Sequence, residues 1–304
     1  MPPYVLAHLS DPHLAPMPRP RLSQLAGKRI TGYLNWLRGR RKIHVSANLN
    51  AIVRDLKAQS PGHIAVTGDL ANISLPGEFT AARAWLDTLG AAADVTFVPG
   101  NHDAYVREAA DAAALHWAPY MQGDAAAPKI EFPFVRRRGP LALIGLSTAV
   151  PTPPFMATGQ LGDEQLARFE RTLAQLAKEP LFRVVLIHHP PVSAPENHSK
   201  RLTDAEAFRK ILSQHGADLV LHGHDHVHSL VWLDGPKAKI PAVGVPSASA
   251  TLHSKYDPAA YNLYRIDGAP GAWTCEMVSR GLNPGGISEI RKMKLLDNDV
   301  SALV

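Results

Sequence analysis

Five short segments of this 304-residue chain carry oxygen or imidazole donors at loop-like positions. They are Asp11-Pro12-His13, Gly68-Asp69, Gly100-Asn101-His102-Asp103, His188-His189-Pro190 and Gly223-His224-Asp225-His226. Any one of these histidines alone would more often be a cap, a turn residue or a surface group. Four of the five segments, however, follow a β-branched or aliphatic run that reads as a strand. The fold must therefore bring several strand ends together, and the five segments read as one dinuclear metal site.

The rest of the chain alternates in the way such a site requires. Tyr4 to Leu9 is a buried strand delivering Asp11, and residues 46–59 carry apolar positions at helical spacing. His63 to Thr67 is a short apolar strand ending at Gly68-Asp69. The plan repeats with an amphipathic helix from Glu78 to Leu89, a strand from Asp94 to Val98 and the Gly100 loop. An alanine-rich helical region precedes a strand at Leu141 to Leu146 and a helix over 163–178. Arg183 to Ile187 then runs into His188, and Asp218 to Leu221 into the Gly223 loop. Ile240 to Val245, Tyr261 to Ile266 and Trp273 to Val278 suggest strands joined by turns. The expectation is an α/β domain over residues 1–282 that finishes in mostly antiparallel structure, with 283–304 as a partly disordered tail.

Composition narrows the function classes. The chain is 45% hydrophobic, enough to bury a full core, and one large domain is the default. Lys+Arg 32 against Asp+Glu 27 gives +5, which suits anionic substrates without demonstrating nucleic-acid binding. The single cysteine, Cys275, excludes an internal disulfide framework and a cysteine-built zinc site. No secretory leader or run of about 20 apolar residues is visible, so a cytoplasmic protein is expected.

The donor types dictate the chemistry. A carboxylate such as Asp69 can offer one oxygen to each of two cations, whereas the imidazoles of His13, His188, His224 and His226 and the amide oxygen of Asn101 each serve one. This mixed nitrogen and oxygen set suits Mn, Fe, Zn or Co better than Mg or Ca. Gly68, Gly100 and Gly223 allow sharp turns and close backbone approach beside the donors. Metal-assisted hydrolysis of a phosphate ester is the reaction such a site implies.

The five blocks, D-x-H, GD, GNHD, H-x-P and GHxH, occur in the order found in the calcineurin-like metallophosphoesterase superfamily, which this chain resembles from residue 11 to 226. The strand-rich region to about residue 280 is similar to that family as well. The resemblance implies a two-sheet β-sandwich flanked by helices. It also implies that Asp11, His13 and His226 hold one metal, that Asn101, His188 and His224 hold the other, and that Asp69 bridges them. His102 would lie outside the metal shell and act as general acid or electrostatic stabiliser. His189 is then the variable residue of H-x-P, expected to pack behind the site or touch substrate. Asn72 and Asp103 are expected to orient neighbours.

Compact size, GNHD and His-His-Pro-Pro look most like the bacterial branch of cyclic-nucleotide and glycerophosphodiester phosphodiesterases. Phosphodiester hydrolysis with two divalent or mixed-valence metal ions is thus the leading expectation. A phosphomonoesterase or pyrophosphohydrolase acting on a lipid-linked or nucleotide substrate would use the same metals. So would a nuclease, against which stand the modest charge and the lack of an added nucleic-acid module. A non-catalytic scaffold is opposed by the survival of every donor and of His102.

Residues 16–45 depart from a minimal family member. Leu22, Leu25, Ile30, Tyr33, Leu34, Trp36 and Leu37 interleave with Arg19, Arg21, Lys28, Arg29, Arg38, Arg40, Arg41 and Lys42. The stretch reads as a basic amphipathic helix, either packed on the body with a solvated basic face or serving as a lid or membrane-surface element for a lipid-linked phosphate ester. In the second case Trp36 and the Arg38 to Lys42 cluster would bind substrate. Arg136-Arg137-Arg138 is expected at a hairpin tip facing solvent. Oligomeric state leaves no mark in the sequence.

Overall fold

Short strands buried on both faces need cover on both sides, and the sequence supplies several such strands. The computed structural model describes residues 2–125 and 129–297. In chain order the elements are β1 (Tyr4–Leu9), α1 (Lys28–Asn35), α2 (Arg41–Ile43), α3 (Ser46–Ala58), β2 (His63–Val66), α4 (Pro76–Leu89), β3 (Val95–Phe97), α5 (Ala109–Trp117), β4 (Phe134–Arg138) and β5 (Leu141–Gly145). They continue with α6 (Asp163–Leu176), β6 (Phe182–Leu186), α7 (Ala205–His215), β7 (Leu219–His222), β8 (Ser229–Leu233), β9 (Ile240–Gly244), β10 (Ala260–Asp267), β11 (Thr274–Asn283) and β12 (Gly286–Leu296).

These strands form two mixed six-stranded sheets flanked by helices, ordered β12-β11-β10-β1-β2-β3 and β4-β5-β6-β7-β9-β8. Strands β1, β2 and β3 are mutually parallel, as are β5, β6, β7 and β9. Alternation along β5 shows how the layers stack. Leu141 and Leu143 join the main core with Phe182, Val184, Leu219 and Leu221, while Ala142 and Ile144 face Phe169, Leu173, Phe208 and Leu212 of α6 and α7. The amphipathic face of α6 repeats at 3–4 residue steps through Leu166, Phe169, Leu173 and Leu176, and Asp163 and Glu164 complement its N-terminal dipole.

Much of the expected C-terminal tail is a strand. Gly286–Leu296 forms β12, paired antiparallel along β11. Its mostly exposed Glu289, Arg291, Lys292 and Lys294 conceal a strand from a hydrophobicity reading, and such charges suit a sheet edge. Residues 298–304 lie outside the described residues. The expected arginine-rich hairpin tip is corrected too. Arg136 lies on β4 and is 3% exposed, with its guanidinium donating to the carbonyls of Gln122, Ala92, Val95 and Pro119. It satisfies carbonyls at the β3 edge of one sheet from the β4 edge of the other. Arg137 and Arg138 instead reach outward to Glu179 and Asp124.

Arg136→Met should therefore lose on the order of 2–4 kcal/mol of stability by leaving those carbonyls unpaired, read as a fall in the urea midpoint. A second effect follows from His63 on β2, which burial, and then Arg138 and Arg136, lower from 6.5 to about 3. The unfolded chain takes up this proton first, so the contribution of His63 is present above pH 6.5 and lost as pH falls toward 3. In metal-free protein, His63→Gln should flatten the pH dependence of the urea midpoint over that window.

Candidate metal centre

Each donor segment begins where a parallel strand ends. Asp11 and His13 follow β1, Asp69 follows β2, Asn101 and His102 follow β3, His188 follows β6, and His224 and His226 follow β7. Backbone bonds from Asp11 N–H to Gly68 O and His13 N–H to Asp69 O lock the first two loops together, each at 3.0 Å. Asp11, His13, Asp69, His224 and His226 adopt positive φ of 51, 38, 58, 71 and 58°. For residues bearing a Cβ this left-handed geometry costs roughly 1–2 kcal/mol each, and strain concentrated in one set of side chains marks a functional site. Gly68 precedes one of these turns at φ 99°, where a Cβ would fall 2.4 Å from His188 Nδ1. Only glycine fits there.

The side chains converge as two groups sharing one carboxylate. His226 Nε2 is 3.1 Å from Asp11 Oδ1 and 3.3 Å from His13 Nε2. His188 Nε2 is 3.2 Å from Asn101 Oδ1 and 3.3 Å from His224 Nδ1. Asp69 Oδ2 stands 3.8 Å from His13 Nε2 and 3.4 Å from His188 Nε2. The structure thus brings together all seven side chains that the sequence singled out as donors.

Tautomers follow from the outer bonds. His188 Nδ1–H donates to Thr67 O at 2.6 Å and His13 Nδ1–H to Ala71 O at 3.2 Å, which directs both Nε2 atoms inward. Two inward-facing nitrogen pairs about 3.3 Å apart suit a shared cation better than each other. His224 Nε2 is buried without a hydrogen-bond partner. The donor set therefore fits transition-metal ions. Burial opposes charge on Asp11, but His226 leads the neighbours that hold its carboxyl below the usual range. Burial would lower His188, yet Asp69 and Asp11 raise it to about 10. The same two carboxylates that favour a proton on this imidazole would favour a cation beside it.

The residues assigned supporting roles divide. Asp103 accepts Asp69 N–H at 2.7 Å and Gly100 N–H at 2.9 Å on Oδ2, and Ala71 N–H at 2.9 Å on Oδ1. Burial and the Asp69 charge push its carboxyl up to about 7, against the pull of its backbone donors. Asn72 donates from Nδ2 to Leu14 O, and its own carbonyl accepts His102 Nδ1–H at 2.5 Å. His189 is fully engaged behind the site, with Nδ1 on Thr148 Oγ1, Nε2 on Ala157 O and its ring 4.3 Å from that of His224.

Trp36 does not contact the site as expected. It stacks on Tyr33 and packs with it against Met17, Ile73, Leu75 and Tyr105, where burial of its apolar ring is favoured. Arg38 is exposed and lines the cleft above the donors. Two residues of the insertion that the sequence did not distinguish come closer. His44 forms a group with His13 and His226 whose ligand atoms lie within 4.8 Å of one another, and its Nδ1 meets Ser249 Oγ at 2.9 Å. Arg40 lies across His13 and His102. A histidine two positions after the Arg-Lys run is the only sequence signal for His44, and Arg40 looks like its neighbours.

The chain matches the Calcineurin-like phosphoesterase family over residues 4–228 and belongs to it. It is a metallophosphoesterase by that membership. A cAMP/cGMP dual specificity phosphodiesterase of Mycobacterium tuberculosis is 26% identical over 284 residues, covering 91% of this chain and 76% of the relative. A probable cyclic nucleotide phosphodiesterase of Synechococcus is 24% identical over 230 residues, covering 75% of this chain and 80% of the relative. Among solved structures, a dimetal phosphatase from Danio rerio superposes with a TM-score of 0.57 at 14% identity, covering 97% and 99% of the two chains. A purple acid phosphatase from yellow lupin seeds gives 0.59 at 11% identity, covering 96% of this chain and 53% of the phosphatase. These two similarities concern the fold.

Asp103→Asn should cost about 2–3 kcal/mol, because an amide presents one acceptor oxygen and sets its NH2 against a backbone N–H. Urea unfolding and metal analysis should show lower stability together with reduced bound metal.

Proposed function

We propose that this protein hydrolyses a phosphodiester, using two transition-metal ions drawn from Mn, Fe and Zn. The observation that carries the reading is the single Asp69 oxygen shared between two imidazole groups, 3.8 Å from His13 Nε2 and 3.4 Å from His188 Nε2. Asp11, His13 and His226 would hold one ion and Asn101, His188 and His224 the other, with Asp69 between them. Bound there, the ions would neutralise phosphate oxygens and favour deprotonation of water near neutral pH.

The protein's own groups orient and protonate. The Asn72 carbonyl fixes Nδ1–H of His102 at 2.5 Å, so proton transfer to the departing ester oxygen runs through Nε2. Burial and then the Arg40 charge lower His102 to about 3. Neutralising that charge would favour the protonated imidazole. The metal-facing floor opens into a cleft of about 840 Å³. That space accepts substituents on both ester oxygens, and the names of the two relatives point to diester chemistry.

A second reading, hydrolysis of a lipid-linked phosphate ester or pyrophosphate at a membrane surface, is favoured by exposed Leu34 and Phe155 at a cleft that also presents Lys28, Arg38, Lys200 and Lys255. Among the described residues no helix is long and apolar enough to cross a membrane.

Bis-p-nitrophenyl phosphate should be cleaved faster than p-nitrophenyl phosphate by metal-stripped protein to which Mn, Fe or Zn is restored singly. Preferred cleavage of the monoester would overturn the diester assignment. Asp69→Asn should lose most activity together with bound metal. His102→Ala should keep its metal and slow an unactivated alkyl ester by about 10²–10⁴-fold. It should slow the nitrophenyl ester less, because nitrophenolate leaves without a proton. Equal losses on both esters would remove His102 as the acid.

A further inference from the structure

We propose that Arg40, carried on the helical insertion, is a phosphate-binding residue of this site, its guanidinium gripping non-bridging oxygens of the phosphate ester. The proposal rests on the phosphoesterase reading and adds to it a substrate ligand from outside the five donor segments.

The insertion is pinned as a fixed wall of the cleft. Arg29 donates to the carbonyls of Ile73 and Ser74, at 3.2 and 2.7 Å, and Lys28 Nζ to Thr152 Oγ1 at 2.7 Å. Helix α1 approaches Tyr105 so closely that a Cβ on Gly32 would lie 2.4 Å from the phenol oxygen. Past α1 the chain makes a π-helical turn over Trp36–Arg40, closed by Arg41 N–H on the Trp36 carbonyl. The wider turn changes the angular spacing of the side chains that follow, as such turns do at many functional sites. Arg38 is left exposed along the cleft, while Arg40 reaches its floor.

The guanidinium geometry is specific. One Nη lies 2.9 Å from His102 Nε2 and 3.2 Å from its Nδ1. The other lies 2.9 Å from His13 Nε2 and 3.2 Å from its Nδ1. A nitrogen nearly equidistant from both ring nitrogens sits against the ring and not on one lone pair. His13 Nε2 faces Arg40 at 2.9 Å as well as His226 at 3.3 Å and Asp69 at 3.8 Å, so the guanidinium stands at the edge of the donor group.

Charge supplies the rest of the argument. Among the described residues no carboxylate lies within ion-pair distance of Arg40, whereas Arg29, Arg137, Arg138 and Arg280 all have acidic partners. A cation withdrawn from water toward neutral imidazoles gains little from them. Its planar fork matches two oxygens of a phosphate, and the metal-binding floor it overhangs is where that phosphate would lie. An anion there would satisfy the guanidinium and screen it from the metal charges.

The test is titration of inorganic phosphate into Mn-loaded wild type, Arg40→Met and Arg40→Lys by calorimetry, alongside metal analysis, circular dichroism and the KM for bis-p-nitrophenyl phosphate. Arg40→Met should keep its metal and fold yet bind phosphate about 10- to 100-fold more weakly, with KM raised in parallel. Arg40→Lys should recover only part of that affinity, because a point charge cannot replace the fork. Unchanged phosphate affinity in Arg40→Met would overturn the proposal. So would loss of metal in both variants, since Arg40 would then be propping the metal-binding histidines. If wild type hydrolyses no phosphoester but binds phosphate through Arg40, the phosphoesterase reading fails while the anion site stands.

Discussion

The Asp103 carboxylate, closed on the N–H groups of Asp69, Ala71 and Gly100, is the interaction on which the site depends. It ties the loop after β2 to the loop after β3 and so fixes Asp69 relative to Asn101 and His102. Asp69 then accepts His102 N–H on Oδ1 at 2.8 Å, leaving Oδ2 for the two imidazole groups. A carboxyl with several backbone donors can hold loops against strain, because leaving each buried N–H unpaired would cost roughly 1–3 kcal/mol. Without it the left-handed backbone at Asp69 would relax.

A further constraint is electrostatic. Asp11 and Asp69 are buried carboxylates, 0% and 2% exposed, set among histidines whose outer nitrogens are engaged by backbone carbonyls. Two anions in so dry a place require cations nearby, and inward-facing imidazoles admit them without adding charge of their own. Around this floor the protein arranges cations that are not paired there, among them Arg40 and Lys28. Lys28 is lowered to about 8 by burial. The cleft is thus negative and metal-loving at its base and positive along its walls. That polarity suits a phosphate ester lying between the two.

Local signals were legible in the sequence wherever the physics is local. The strand-to-donor junctions at Leu9, Val66, Phe97, Leu186 and His222 combine a buried run with a glycine or polar turn, and each was readable within a few residues. What escaped depends on partners far along the chain. Strand β12 is ordered by its ladder with β11, since its exposed charged residues give little apolar pattern. Helix α7 is the exception, since the i, i+3, i+4 spacing of its buried Phe208, Ile211 and Leu212 is a local pattern. Arg136 and Arg138 are the same residue type two positions apart, yet one is buried among carbonyls and the other pairs with Asp124. The two share a strand face, and only the packing around each position separates them.

By itself, then, the sequence determined which atoms are available: a mixed nitrogen and oxygen donor set, placed after strands, with glycines where a Cβ would collide. It also determined that residues 16–45 form something basic and amphipathic. The tertiary structure decided which member of each look-alike set acts. It turned Trp36 into the satellite core, left Arg38 on the cleft wall, and carried Arg40 and His44 to the donors through a π-helical turn and a strap bonded to Ser249 and Thr251. The physical reason is that a side chain's type is local, whereas its direction depends on how a helix docks. That docking is set by Gly32 against Tyr105 and Arg29 against Ile73 and Ser74, contacts separated from it by tens of residues.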